Sequence, residues 1–390
     1  MGLPRILFAR NLFLPEDLGG NRYPYETMRR FAARGYPVTV ATPRLHDSFP
    51  AIDGLHYHLY PVLRPHPAVS HFTNLLGASL AYRGLARNFA VAISGSYDAA
   101  LALGLAGVSP RTPLVFLFHS EFYSEWVQSR SLARVALKRY MQAVERRVFE
   151  LSARIVAVSS FSARQIAERA PANAQKVRLV PTGVETDYFC PPADKSAAKR
   201  ALGLDPAQPL LLGVGRLAGV KQFDRLITGF AAAHANGLHA RLIIAGGGPE
   251  HARLQRLIDT YGVGQQITLA GYCDPPRLRA LMQAADLQVC SSAFENLSLA
   301  ILEGLACGTP VLGTPGGGTP ELLAPLDPRL VLADDRPATI ADALPRWLAD
   351  PARLVHLGQK SRARAVERYD WERVVDGLES VCSEVATEWP

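Results

Sequence analysis

The chain has 390 residues, 48% of them apolar and 20% charged, the composition of a globular protein too long for one ordinary core and therefore of two domains. No apolar run approaches the roughly 18 residues that read as a membrane-spanning helix, and the opening MGLPRILFA reads as a first strand rather than a signal or lipidation sequence. The formal charge of +7 is uneven, +11 over residues 1–180 and −4 over the remainder, so the two halves suit different partners. Cys190, Cys273, Cys290, Cys307 and Cys382 are scattered, odd in number and without CxxC spacing, as expected of reduced thiols in a cytoplasmic protein.

In chain order, ILFAR, YPVTVATP and PLVFLFH read as strands, with the helix YETMRRFAARG between the first two. The segment Leu18-Gly19-Gly20-Asn21-Arg22 precedes that helix; its glycines either let the backbone approach a ligand or make a plain turn. His119 ends PLVFLFH, and a lone histidine there is structural or faces a cleft. KRYMQAVERRVFELS (138–152) is a long helix whose Lys138, Arg139, Arg146 and Arg147 form either a solvated face or a contact with an anionic membrane. The strand RIVAVSS, the helix FSARQIAERA and the strand KVRLVPTGV follow. Alternation of this kind predicts a mostly parallel α/β sheet.

After a linker from Gly183 to about Pro209, the alternation restarts with PLLLGVGRL, KQFDRLITGFAAAHA and ARLIIAGGG. It continues through PEHARLQRLIDTYG, QITLAGY and PPRLRALMQAA. Arg216 and Lys221 stand at the carboxyl end of the first of these strands, where two cations can neutralise a diphosphate or merely meet solvent. Gly213-x-Gly215-x-x-Ala218 also fits a dinucleotide fingerprint. The next strand ends in Ile244-Ala245-Gly246-Gly247, without the ribose-binding acid, which argues against NAD.

The most informative stretch comes next. DLQVCSS is a buried strand, Ala293 to Leu297 a turn, and Ser298 to Cys307 a helix stopped by Gly308 before the strand PVLGT. Glu295 lies in the turn and Glu303 in an otherwise apolar helix, where a carboxylate needs a partner. A helix N-terminus with unpaired amides binds an anion, and carboxylates grip hydroxyls, so the unit suits a sugar nucleotide. For Glu295 alone, a solvated carboxylate near the helix dipole explains as much. A glycosidase-type acid pair fits poorly, because such groups must flank one bond across a cleft. The sequence shows no zinc-ligand spacing, GxSxG elbow or Walker A loop, and none of the aromatic-basic interleaving of a nucleic-acid binder. The final segment YDWERVVDGLESVCSEVATEW has helical period, with Trp371, Val374, Val375, Leu378 and Val381 in one stripe. It either crosses back to the first domain or packs on its own.

These segments together resemble glycosyltransferase family 4, the retaining sugar-nucleotide transferases of the GT-B fold, over nearly the whole chain. The strongest likeness is ENLSLAILEGLACGTPVLGTPGGGTPE, similar to the family's Glu-x7-Glu signature and the glycine-rich loop after it. VGRLAGVKQFDRLI is similar to its diphosphate-binding strand and helix, and IVAVSSFSARQI with VPTGVETDYFCP to the strand and linker between domains. GGNRYPYETMRRFAARGYPVTV resembles its N-terminal glycine loop and helix. The chain departs from the pattern at Thr182, where the family often has Asn, at Gln222, where Gly usually follows the lysine, and at Tyr36, where His is common.

The resemblance implies two Rossmann-like domains facing a cleft: residues 1–183, completed by a C-terminal helix at 369–390, and residues 184–368. It implies that Arg216 and Lys221 bind the donor diphosphate and that Glu303 holds the ribose. Glu295 and His119 would serve the transferred sugar. Gly19 and Gly20 would let the N-terminal loop close on the donor, while Asn296 and the amides of Leu297, Ser298 and Leu299 meet sugar or phosphate oxygens. Backbone near Tyr272 and Cys273 would line the base pocket. The implied reaction is metal-independent, retaining transfer of a hexose from a UDP-sugar, with GDP-mannose second, and it needs no cofactor beyond that co-substrate. The acceptor would be a hydroxyl of a sugar-containing or lipid-linked compound or of a cell-envelope glycan, as in polysaccharide biosynthesis. A nucleotide-sugar-binding regulatory protein without turnover is the alternative.

Overall fold

The computed structural model describes residues 3–10, 22–44, 51–61, 67–83, 85, 89–108, 112–119 and 132–389, so the predicted Gly19 and Gly20 lie outside the described residues. The chain divides into two compact units, Met1–Pro181 with Val374–Pro390, and Thr182–Arg373.

The first unit holds strands β1 (Ile6–Ala9), β2 (Val38–Pro43), β3 (Leu55–Tyr60), β4 (Val91–Ser94), β5 (Leu114–Phe118), β6 (Arg154–Ala157) and β7 (Val177–Leu179). They lie side by side as β3-β2-β1-β4-β5-β6-β7, and every pairing is parallel. Helices α1 (Arg22–Ala33), α2 (Pro67–Tyr82), α3 (Tyr97–Leu105), α4 (Leu132–Leu151) and α5 (Ser160–Arg169) connect them. β1 and β5 are buried at every position, as strands covered on both faces must be, and this makes them apolar runs in the sequence. The edge strand β3 reads LHYHLY, is only partly buried and shows no apolar run. Together with the four-residue β4 and helix α2 it carries no signal the sequence pattern picks up. α4 begins at Leu132, ahead of the expected start at Lys138.

The second unit opens with α6 (Lys195–Ala201) and then winds β8 (Leu210–Val214), α7 (Phe223–Ala235), β9 (Arg241–Ala245), α8 (His251–Tyr261) and β10 (Ile267–Gly271). After these come α9 (Pro275–Ala284), β11 (Leu287–Cys290), α10 (Leu299–Ala306), β12 (Val311–Gly313) and α11 (Thr319–Leu323). Its sheet has the order β10-β9-β8-β11-β12, again all parallel. Helices α12 (Pro337–Leu348) and α13 (Pro351–Tyr369) close the unit. In each sheet the winding reverses beside the first strand, at β1/β4 and at β8/β11. Such a switch point opens a crevice outside the strands' carboxyl ends.

The last helix, α14 (Trp371–Glu388), buries the expected stripe Trp371, Val374, Val375, Leu378 and Val381. From Val374 onward it groups with the first unit. There Arg34 bonds Glu379 at 2.7 Å and Asp376 at 2.9 Å, and Arg154 bonds Glu384 at 2.9 Å. Arg178 joins Glu384 as well, and the Tyr36 hydroxyl donates to Glu379. The tyrosine that departs from the family pattern thus ties the end of α1 to α14.

Candidate functional site

Apart from Glu303, which lies within α10, the predicted donor residues of the second unit follow the carboxyl edge of its sheet. Arg216 and Lys221 follow β8, Tyr272 and Cys273 follow β10, and Glu295 to Leu299 follow β11. The loops carrying them are fastened by backbone hydrogen bonds: Gly215 N to Ala245 O at 3.0 Å, Leu217 N to Gly247 O at 2.9 Å, and Gly246 N to Gly271 O at 2.8 Å. Across the switch point, Ala293 N donates to Val220 O at 2.8 Å and the Ser291 hydroxyl to Lys221 O at 2.8 Å. Contact this close needs glycine. A Cβ at Gly246, whose φ is 154°, would stand 1.8 Å from Gly215 O, and one at Gly317, φ 69°, would stand 1.9 Å from Glu295 O. The GGG loop at 246–248 is thus part of the wall that shapes the loop after β8.

The two cations differ. The Arg216 guanidinium is exposed and bonds no other described residue. Lys221 is partly buried, and its Nζ lies 2.5 Å from Glu295 Oε1. The same carboxylate oxygen accepts from the Ser292 hydroxyl at 2.7 Å. Ser292 is 4% exposed, and its carbonyl accepts from the Thr314 hydroxyl. Ser292 was not foreseen as a site residue, although the S-x-x-E spacing of Ser292 and Glu295 was visible. Glu295 and Lys221, assigned separately to sugar and diphosphate, therefore meet as a pair. Gln222, next along, is in the left-handed region at φ 48°, the only such non-glycine among the described residues.

Helix α10 begins without a side-chain cap: Ser298 occupies the cap position, and its hydroxyl bonds no helix amide. The amides of Leu297, Ser298 and Leu299 donate to no other described residue, although Leu297 is 9% and Ser298 5% exposed. Buried amides of this kind are costly unless something accepts from them, and a helix start favours an anion. Asn296 is half-buried beside them. Glu303 lies further along α10 and is 5% exposed. Its charge, second to burial, helps push up the neighbouring Cys307 thiol. Tyr272 is 67% exposed, whereas Cys273 is buried, with its thiol toward Gly271 O at 3.7 Å. Of that pair only Tyr272 presents a free face.

His119 belongs to the first unit, immediately after β5. Its ring meets Tyr23 edge-on at 4.8 Å between centroids, and the backbone of Gly95 passes close to both His119 and Arg10. Burial, and after it the charge of Arg10, pushes the imidazole down to about 3, so it is neutral at ordinary pH. Arg10 itself is buried and lowered to about 10. Sequence reasoning passed over Arg10. Its signal was a cation directly after the wholly apolar ILFA.

Comparison with known proteins gives these sites a context. Residues 19–188 match the family model "Glycosyltransferase Family 4", and residues 194–364 match "Glycosyl transferases group 1". A D-inositol 3-phosphate glycosyltransferase of Segniliparus rotundus is 31% identical over 231 residues, 58% of this chain. The chain spans about half the length of that relative, 51%. Among solved structures, the sucrose-phosphate synthase of Thermosynechococcus elongatus superposes with a TM-score of 0.82 at 22% identity, over 99% of this chain and 100% of that one. The Anabaena protein Alr3699/HepE, solved with UDP, gives 0.78 at 16% identity, over 97% and 100%. The chain belongs to glycosyltransferase family 4 and has the GT-B fold of two parallel-sheet α/β domains.

Proposed function

We propose that the protein is a retaining glycosyltransferase that moves a hexose from a nucleoside-diphosphate sugar to an acceptor hydroxyl. The observation that carries this reading is the row of unpaired amides at Leu297, Ser298 and Leu299, the first two in buried residues, on a loop bonded directly to the one bearing Lys221. Together with Arg216 they form an anion site at a sheet switch point. Uridine is favoured as the base, supported by the UDP in the Anabaena neighbour, with guanosine second. The acceptor is assigned only as a sugar-containing or lipid-linked hydroxyl; the inositol phosphate named for the Segniliparus relative is a first compound to try.

In this reading Arg216, Lys221 and the α10 amides stabilise the departing diphosphate, a kind of electrostatic help whose single donors are worth about 100- to 1,000-fold. Glu303 holds the ribose, Glu295 the sugar hydroxyls, and Tyr272 with the backbone at Cys273 the base. His119 is assigned to the transferred sugar on the resemblance. Being neutral, it acts as a hydrogen-bonding group rather than as a proton donor. Gly19 and Gly20 keep the role the resemblance gives them. The acceptor attacks on the face the diphosphate leaves, and a leaving phosphate oxygen takes its proton, so no enzyme nucleophile or metal is needed; transfer should persist in EDTA.

Lys221→Ala and Glu303→Ala should each cut transfer by about 100-fold or more. Near-wild-type rates in both would refute the site. Turnover also separates the enzyme from the second reading, a regulatory protein that binds nucleotide sugar without transfer. For membrane contact we propose the face of α4 bearing Arg139, Arg146 and Arg147, all exposed, with Arg147 paired to Glu150 at 3.0 Å. No helix among the described residues is long and apolar enough to span a bilayer. Flotation with anionic liposomes at low salt tests the contact, and no binding there removes it.

A further inference from the structure

The pairing of Lys221 with Glu295 has a consequence for which nucleotide the site prefers. Glu295 Oε1 receives both Lys221 Nζ, at 2.5 Å, and the Ser292 hydroxyl, at 2.7 Å. Its other oxygen, Oε2, has no partner among the described residues. The side chains of Lys221 and Glu295 are 22% and 13% exposed, so solvent screens the pair only in part. An incoming diphosphate therefore meets one uncompensated cation, Arg216, and a second whose charge a neighbouring carboxylate already offsets. That carboxylate also repels the phosphate oxygens Lys221 would hold. Ser292, buried and braced through its carbonyl by Thr314, keeps the carboxylate from swinging away.

We infer that Glu295 is a specificity-determining residue that sets nucleoside-diphosphate sugar above the sugar-free nucleoside diphosphate, with Ser292 as its positioning residue. The inference rests on the donor-site reading above and deepens it. A nucleoside diphosphate alone suffers the repulsion and gains nothing from Glu295. A donor still carrying its hexose offers hydroxyls to Oε2, and these charge-assisted bonds offset the repulsion. Lys221 has three donor protons, so it can keep Glu295 and reach a phosphate oxygen together. The difference disappears when the hexose leaves. The spent nucleotide then sits beside a carboxylate with no hydroxyl to hold, which favours its release.

The test is calorimetric binding of UDP and of UDP-glucose, with GDP and GDP-mannose run in parallel, to the wild type, Glu295→Gln, Ser292→Ala and Lys221→Met. Glu295→Gln should bind the sugar-free nucleotide about tenfold more tightly and the nucleotide sugar about tenfold more weakly. Ser292→Ala should move both in the same directions by about threefold, and Ser292→Thr, which restores a hydroxyl, should return them toward wild type. In the Lys221→Met background the tightening by Glu295→Gln should shrink, because the charge it frees is gone. A purely structural role would weaken both ligands alike. That outcome, or an unchanged ratio of the two affinities, overturns the inference while leaving the donor site standing. A wild type that binds none of the four nucleotides removes the donor-site reading and this inference with it.

Discussion

The carboxyl edge of the second sheet is built largely from backbone, with short glycine loops bonded to one another, unpaired amides at the start of α10 and partly exposed side chains at the rim. The edge of the first sheet is built from side chains, with Arg10 and the partly buried His119 close to the backbone of Gly95 and the buried Tyr23 against the His119 ring. The same winding thus supports two kinds of site. On the proposed reading a backbone site fits a ligand part common to all donors, the diphosphate, and varies little with side-chain identity. A side-chain site is free to change with its ligand. The charge difference between the halves runs the same way, since the basic half carries the side-chain edge.

The largest effect expected from this contrast is Gly246→Ala. A Cβ 1.8 Å from Gly215 O at φ 154° cannot be housed without moving the loop after β8. We expect a loss of about 3 kcal/mol in the second unit and of nucleotide binding, read by thermal unfolding with and without UDP. If Gly246→Ala binds UDP normally, the second edge is less dependent on its backbone than described.

An intermediate effect belongs to the first edge and is a matter of pH. His119 is lowered from an ordinary 6.5 to about 3, so the stability tied to its neutral form is present above pH 6.5 and is lost as pH falls toward 3. Between pH 6.5 and 5 the first unit should lose roughly 2 kcal/mol through this group, at about 1.4 kcal/mol per pH unit. In His119→Asn that slope should vanish, whatever the variant's absolute stability. An unchanged slope in denaturation at several pH values would place the acid sensitivity elsewhere.

The smallest effect returns to the second edge. Gln222 at φ 48° takes a conformation that costs a non-glycine residue about 1 kcal/mol. Gln222→Gly should therefore stabilise the second unit by up to about that amount, less the added chain entropy of glycine. Its measured change in melting temperature shows whether the strain is real or relieved by contacts of the side chain.

How much could be read from the sequence follows the same division. Most of the residues at the second edge could be singled out because, Tyr272 and Cys273 apart, they come in two short contiguous stretches, 213–222 and 294–303, where glycine spacing and a carboxylate in an apolar helix both signal chemistry. The Lys221–Glu295 contact was not, because it joins loops 74 residues apart. Arg10, Gly95 and His119 come from three separate strand ends, and none has a motif of its own. Longer strands buried on both faces, such as β5, announced themselves as apolar runs, whereas the equally buried β4 was too short to do so. The edge strand LHYHLY did not, since half-burial with interleaved histidines leaves no pattern. The departures at Tyr36 and Gln222 were visible as residues, but only the fold shows that one anchors α14 and the other sits in a strained turn.

The placement of α14 bears on how the molecule is made. Glu379 and Glu384, which bind Arg34, Arg154 and Arg178, are translated after the whole of the second unit. On the ribosome the seven-stranded sheet emerges first yet lacks its closing helix until the second unit has been made, leaving those arginines without their acidic partners. The nascent chain must therefore carry an incomplete first layer while the whole second unit is made, and a product cut short before residue 374 would expose that surface to chaperones and proteases.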